Sequence, residues 1–486
     1  MSEEIKKLQP EKLWKNFYEL TQIPRPSKKE EAVASFVKAF GKKLGLETKE
    51  DATGNIVIRK PATKGYEDRE TAILQGHLDM VPQKNNDVDH DFEKDPIDAY
   101  IDGEWVTAKG TTLGADNGMG VAAAMAVLED DTLEHGPIEA FFTVDEETGM
   151  TGAFGLQEGF LKGDVLINMD SEDEGELYIG CAGGMDTIAT FSYKEEPAPA
   201  GTKAYKINAK GLKGGHSGLD IHLGRGNAIK IINRLLWESA RKHQLQVASF
   251  NCGDVRNAIP REGEAIAVVP EANATDFENF VKEYNQTVRS ELKSVEPGLE
   301  VSTTVVDNPA KIIDGETQNN LLSAVYGVPN GVMSMVADMP EVVETSTSMG
   351  VIKTEDGKIT VVTLQRSSVD SRKMDLGNMI RAIFELAGAE TQHKGAYPGW
   401  NPDINSPVLE TMKKVYDKEF GKVPAVKVIH AGLECGLIKA VYPNLDAISF
   451  GPTIRYPHSP DEKVNIETVK KFWDFLIYTL KEMPKK

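Results

Sequence analysis

The sequence predicts an α/β fold interrupted by an inserted α+β domain. Helical and strand patterns alternate from about residue 11 to 180, the signature of a parallel α/β arrangement. Several short apolar runs stop abruptly at an acid or a histidine, as buried strands do at their carboxyl ends. From about 186 to 392 the pattern changes to strands, a hairpin and amphipathic helices, and then the α/β alternation returns. At 486 residues the chain exceeds the usual single-core size, so two domains are expected. The reading is a discontinuous domain of residues 1–185 and 393–486, with residues 186–392 inserted.

The elements run in chain order. Apolar spacing predicts helices from Pro10 to Leu20 and from Glu30 to Leu44. Thr71-Ala72-Ile73-Leu74 reads as a strand leading into Gln75-Gly76-His77. An apolar helix spans Met119 to Leu128, and Ile138 to Val144 is a strand ending at Asp145. Val165-Leu166-Ile167-Asn168 is another, just before Asp170. Within the insert, strands are read at Ala204–Ala209, Leu245–Phe250, Glu264–Val269 and near Glu300–Val306. Its helices are Ala228–Ala240, Asp276–Lys293, one near Asn319–Tyr326 and one from about Leu376 to Leu386, and a hairpin turns at Asp356-Gly357. Gly395 to Pro402 reads as the return linker. Ala447-Ile448-Ser449-Phe450-Gly451 is the last apolar strand, and an amphipathic helix from Ile466 to Lys481 closes the chain.

Composition limits the function. With 40% hydrophobic residues there is ample material for cores, while a formal net charge of −20 argues against nucleic acid or an anionic membrane as partner. The first residues lack an apolar leader, and no apolar run approaches the roughly 18 residues a membrane span needs. A soluble cytoplasmic protein is expected. Cys181, Cys252 and Cys435 are odd in number and widely spaced, fitting neither a disulfide framework nor a cysteine-type zinc site; they read as buried thiols.

The chemistry lies in the residues just past the strand ends: His77-Leu78-Asp79, Asp116, Asp145-Glu146-Glu147, Asp170 and His458. Ligands of open α/β sheets collect beyond the carboxyl ends of strands. So many carboxylates held close together would repel one another without cations, which points to a divalent metal site. Two histidines with three or more carboxylates suit zinc, or cobalt or manganese, and two ions sharing one carboxylate would account for the number of ligands. Singly, each residue has a plainer reading. Asp116, between Gly114 and Gly118 ahead of a helix, serves equally well as a cap, a lone histidine near a strand end is commonly a hydrogen-bonded structural residue, and adjacent acids commonly form a solvated loop.

These residues also carry a family resemblance. His77-Leu78-Asp79, Gly114-Ala115-Asp116-Asn117-Gly118, Asp145-Glu146-Glu147-Thr148-Gly149, Met169-Asp170 and His458-Ser459-Pro460 resemble the co-catalytic zinc peptidases that include aminoacylase, carboxypeptidase G-type enzymes and carnosinases. Within that family, four flanking motifs are most similar to the aminoacyl-histidine dipeptidases, also called Xaa-His or cytosol nonspecific dipeptidases. They are Gly214-Gly215-His216-Ser217-Gly218, Asn257-Ala258-Ile259-Pro260, Tyr397-Pro398-Gly399-Trp400 and His430 to Gly436. The resemblance implies a catalytic domain with a central mixed sheet flanked by helices, an α+β lid, and two Zn²⁺ per chain, replaceable by Co²⁺ or Mn²⁺. It implies His77 and Asp170 on one zinc, Glu147 and His458 on the other, and Asp116 bridging. Asp79 would accept the free ring N–H of His77, and Glu146 would be the general base for a water held between the metals.

The same resemblance makes His216 a lid histidine that stabilises the oxyanion, and Asn257 and Arg366 holders of the substrate carboxylate or carbonyl. The plainer alternatives are an exposed turn for His216 and a surface ion pair for Arg366. Thr345-Ser346-Thr347-Ser348-Met349-Gly350 departs from the family, which has a Ser-Asn-containing strand at this point. The implied activity is hydrolysis of unblocked dipeptides, Xaa-His preferred, and a homodimer through the lid is left open. No nucleophile elbow, Cys/His pair, phosphate loop or dinucleotide fingerprint competes. A zinc-dependent N-acyl amino acid deacylase would use the same metals, and a non-catalytic binding protein the same fold, although an intact Glu146 speaks against the latter.

Overall fold

In the computed structural model, which describes residues 3–486, the run leading to His77 forms strand Ala72–His77 in the middle of an eight-stranded mixed sheet. Ile138–Thr143 and Val165–Asn168 pair with it in parallel on either side. All residues of these three strands are buried, so each is covered on both faces. That is why they read as unbroken apolar runs rather than as alternation. Beyond Ile138–Thr143 come the antiparallel strands Ile56–Lys60 and Glu47–Glu50. On the other side lie the parallel Asp446–Ser449, then Glu176–Cys181 and Ala425–Ile429.

Helices cover this sheet. Leu13, Trp14, Phe17 and Leu20 recur on one face of Glu11–Thr21 and are buried, and this helix packs on Ala115–Glu129. Ala115–Glu129 is buried on every side from residue 117 to 128, but Asp116 and Asn117 are not helical, with ψ of 113° and 32°. The regular helix therefore starts close to Met119, and Asp116 stands on irregular backbone ahead of it. Ile466–Glu482 begins where the Asn465 side chain accepts the N–H of Thr468.

The chain divides into two units. One runs to Gly180 and includes Trp400–Val428 and Leu433–Lys486, and the other comprises Cys181–Gly399 and Ile429–Gly432. The second unit has its own nine-stranded sheet. Its core is formed by that sheet and by helices Ala228–Lys242, Ala274–Glu291, Gly315–Gly327 and Asp370–Leu386. The hairpin at Asp356-Gly357 joins two long strands, Met339–Glu355 and Lys358–Ser367. Asp370–Leu386 starts earlier than its apolar pattern suggests because its first turn is polar. Gly395 to Tyr397, read as linker, ends strand Glu390–Tyr397, which pairs with Gly183–Ser192 through an irregular register. All three cysteines are buried. Among the described residues no helix is long and apolar enough to cross a membrane.

Candidate metal centre

Four parallel strands aim their carboxyl ends at one place. His77 is the last residue of Ala72–His77, Glu146 and Glu147 open the short helix Glu146–Gly149 after Ile138–Thr143, Asp170 stands two residues past Val165–Asn168, and His458 lies in the loop beyond Asp446–Ser449. Two turns are left-handed at non-glycine residues, Asp145 with φ of 52° and His458 with φ of 60°. Such backbone persists where surrounding contacts over-determine it. At Asp145 those contacts are side-chain hydrogen bonds from Thr148 and Thr151.

Asp116 ties the site together. Its Oδ1 is 3.1 Å from Nε2 of His77 and its Oδ2 is 3.1 Å from Nε2 of His458. Asp170 Oδ1 is 3.3 Å from His77 Nε2, and Glu147 Oε2 is 3.0 Å from His458 Nε2. The donor atoms of His77, Asp116 and Asp170 lie within 4.8 Å of one another, as do those of Asp116, Glu147 and His458. One carboxylate is thus shared between two triads. The hydrogen-bond partners of its oxygens are the two histidines, not helix amides.

Asp79 meets the His77 ring, as expected, and holds a second loop as well. The Nδ1 of His77 meets the main-chain oxygen of Asp79 at 3.1 Å, with the carboxylate oxygen at 3.4 Å. The carboxylate also accepts the N–H groups of Glu146 at 3.0 Å and Glu147 at 3.2 Å, and the Ser27 hydroxyl at 2.8 Å. Asp79 therefore fixes the ring of His77 through its backbone and the loop of Glu146 and Glu147 through its side chain. These bonds, with the positive ring beside them, hold its carboxyl down at about 2 against the effect of burial.

The electrostatics are those of a site short of positive charge. Burial and Asp116 push the Asp170 carboxyl up to about 7, although His77 pulls it down. Burial also raises Glu146 well above its ordinary value, with Asp170, Glu434 and Glu147 adding to the shift. Burial lowers the His77 imidazole, but Asp170, Asp116 and Asp79 outweigh it and leave it well above its ordinary value. Hydrogen bonds to Asp116 and Glu147 push His458 up to about 11. Carboxyls that hold protons this tightly are those whose mutual repulsion a bound cation would relieve.

In the second unit, the strand Gly215–His216 pairs with Ala258–Ile259, and Ser217 N–H donates to the Asn257 carbonyl at 2.8 Å. Arg366 lies beside them, its Nη2 3.4 Å from His216 Nε2, its Nε 3.4 Å from Ser217 Oγ and its Nη1 donating to Tyr397 Oη at 3.0 Å. Thus His216, Asn257 and Arg366 come together within this unit. Arg366 is only 4% exposed and forms no ion pair among the described residues, which excludes the surface-pair reading. His216 Nδ1 accepts the N–H groups of Gly218 at 3.2 Å and Leu219 at 3.0 Å, so the proton of the neutral ring sits on Nε2. Burial and the charge of Arg366 hold this imidazole down at about 4, hence neutral near pH 7. Ser346, in the departing segment, contacts His430 Nε2 at 2.7 Å.

Comparison with known proteins accords with this geometry. Residues 73–482 match the model of peptidase family M20/M25/M40. The chain is 47% identical over 483 residues to the cytosol non-specific dipeptidase of Escherichia coli, covering 99% of this chain and all of the relative. The chain belongs to this peptidase family.

Among solved structures, aminoacylhistidine dipeptidase from Vibrio alginolyticus superposes with a TM-score of 0.94 at 48% identity, covering 99% of this chain and 98% of that one. A di-peptidase of Saccharomyces cerevisiae, at 15% identity and a TM-score of 0.52, covering 99% of this chain and 97% of that one, shares the fold. As a member of the family the chain is a metal-dependent hydrolase. Its residues suit that chemistry. Oε1 of Glu147 is buried without a hydrogen-bond partner, and two imidazoles with three carboxylates are ligands that zinc, cobalt and manganese accept.

Some supporting residues gave no sequence signal. Arg25, 2% exposed, donates to the carbonyls of Leu78, Asp79 and Gly114, bracing the turns around His77 and Asp116. Glu434 lies in the His430 to Gly436 motif, where the sequence assigns it no role. It is fully buried and accepts hydrogen bonds from Gln75 and Thr143, both at 2.7 Å. Neither position has a local pattern that separates it from an ordinary surface charge.

Proposed function

We propose that the protein is a dipeptidase that hydrolyses unblocked dipeptides, Xaa-His preferred, with two Zn²⁺ held by His77, Asp116, Asp170, Glu147 and His458. The observation that carries this is Asp116, each of whose oxygens faces a different histidine. When bound, the cations supply an acidified water and polarise the scissile carbonyl. Glu146, opening the helix that Asp79 caps, takes the proton of the attacking water and delivers it to the departing amine.

His216 offers a neutral Nε2–H to the developing oxyanion, Arg366 takes the substrate carboxylate, and Asn257 adds a polar contact; the second unit is the lid domain in this reading. A buried guanidinium without an anionic partner favours an anionic ligand. The Escherichia coli relative is named a cytosol enzyme, and a cytoplasmic location is proposed here, with a homodimer through the lid as the arrangement for sedimentation to test.

The experiment is removal of metal by chelator followed by a substrate panel. Activity on β-alanyl-histidine and other dipeptides should vanish and return with Zn²⁺, Co²⁺ or Mn²⁺, at about two ions per chain. Full activity in metal-free protein would refute the metal reading. Hydrolysis of N-acetyl amino acids with none of dipeptides would instead establish the deacylase, and cation binding without any turnover a binding protein.

A further inference from the structure

Glu462 stands four residues past His458, is 2% exposed, and forms no ion pair among the described residues. Its carboxylate is directed entirely at main-chain amides of one loop. Oε2 accepts the N–H groups of Leu113 at 2.7 Å and Gly114 at 2.9 Å, and Oε1 accepts those of Ala115 at 2.7 Å and Asp116 at 3.1 Å. These four amides lie on the irregular backbone ahead of the regular helix, and Gly114 has no side chain to serve them. A distant carboxylate supplies the acceptors instead.

The carbonyl edge of the same loop is held as well. Gly114 O accepts from Nη2 of Arg25 at 2.5 Å, while Nη1 of Arg25 reaches Leu78 O at 2.9 Å and Asp79 O at 3.0 Å. Gly114 is left-handed, with φ of 73°, and a Cβ there would stand 2.5 Å from Arg25 Nη2, so the loop takes a path open only to glycine. Three separate segments, carrying His77, Asp116 and His458, are thus joined by two buried charged side chains.

We propose that Glu462 is a positioning residue for the metal centre: it locks the Asp116 loop to the His458 loop, so that both oxygens of Asp116 face their histidines before any cation binds. This rests on the reading of Asp116 and His458 as metal ligands. Each oxygen of Glu462 serves two amides, so a carboxylate is required and a carboxamide will not replace it. In Glu462→Gln, the isosteric NH₂ must face two N–H groups, leaving those amides unsatisfied and displacing one end of the loop.

The test is titration of chelator-treated protein with Co²⁺, read by calorimetry and by the visible absorption of the bound ion. Wild type should bind about two equivalents. Glu462→Gln should bind Co²⁺ about 10- to 100-fold more weakly, the usual effect of losing a residue that orients metal ligands, with altered absorption bands. Glu462→Asp keeps the charge but is one methylene shorter and cannot span all four amides, so its affinity should fall between the two. Wild-type affinity and spectrum in either folded variant would overturn the proposal. Failure of both variants to fold would also overturn it, in favour of a role confined to the scaffold. If wild type itself bound no Co²⁺, the metal centre would be refuted instead.

Discussion

Exchanging Glu146 and Glu147 for glutamine, one at a time, separates base from ligand. The two acids are adjacent, and the donor atoms of both lie within 4.8 Å of a donor atom of His77, so proximity alone does not assign them. Their contacts do. Glu147 Oε2 is 3.0 Å from His458 Nε2, within the triad completed by Asp116. The hydrogen bond that holds Glu146 to a neighbouring loop is made by its backbone N–H, to Asp79, and glutamine keeps it. Because burial already raises the Glu146 carboxyl, a neutral isostere adds no desolvation penalty. Glu146→Gln should therefore retain fold and metal. It should lower kcat/KM for a dipeptide by about 10²–10⁴-fold, or about 3–5 kcal/mol of transition-state stabilisation. Glu147→Gln should lose metal as well as activity. The assay pairs steady-state hydrolysis with elemental analysis after dialysis at fixed free zinc. Equal metal loss in both variants, or near-normal hydrolysis by Glu146→Gln, would show that the base is another group.

In metal-free protein the contribution of Asp170 to stability should fall as pH rises from about 4 to about 7, while that of the neutral His216 grows over the lower part of this range. Asp170 binds its proton more tightly folded, at about 7, than at its ordinary 3.8, a difference on the order of 4 kcal/mol that is present at low pH and lost across this window. The contribution of His458, complete below 6.5, disappears only as pH passes about 11. Stabilisation by added zinc should grow with pH across the lower window, because the ligands must be deprotonated; chemical melts of metal-free wild type and Asp170→Asn, with and without zinc, would check both slopes, and parallel metal-free profiles of the two proteins would contradict the Asp170 assignment. His216→Ala should lower kcat by about 10²–10³-fold with unchanged metal content, because a hydrogen bond to the oxyanion acts mainly in the transition state. An unchanged kcat would return His216 to the role of a turn residue.

The sequence by itself determined the buried strands and the residues at their exits. Ala72–His77, Ile138–Thr143 and Val165–Asn168 are covered on both faces, so burial writes an uninterrupted apolar run into each, and the first polar residue after the run marks the strand end. Helices such as Ala228–Lys242 were legible for the same local reason, through their buried face. Half-exposed segments were not. Glu390–Tyr397 is mostly open to solvent and carries no apolar pattern, and its strand character comes from pairing with Gly183–Ser192.

Only the tertiary structure decided which oxygen faces which nitrogen. Asp116 and His458 are 342 positions apart, and nothing local relates them; the antiparallel pairing of Lys463–Asn465 with Trp105–Ala108 brings the chain on either side of their loops together. The fold likewise assigned the Asp79 carboxylate to the amides of Glu146 and Glu147, and gave Arg366 neutral neighbours instead of an acid. Glu462, Arg25 and Glu434 look in the sequence like any other charge of this acidic chain. Their meaning comes from burial, which removes water as the alternative partner and leaves each charge to be satisfied by the groups the fold places beside it.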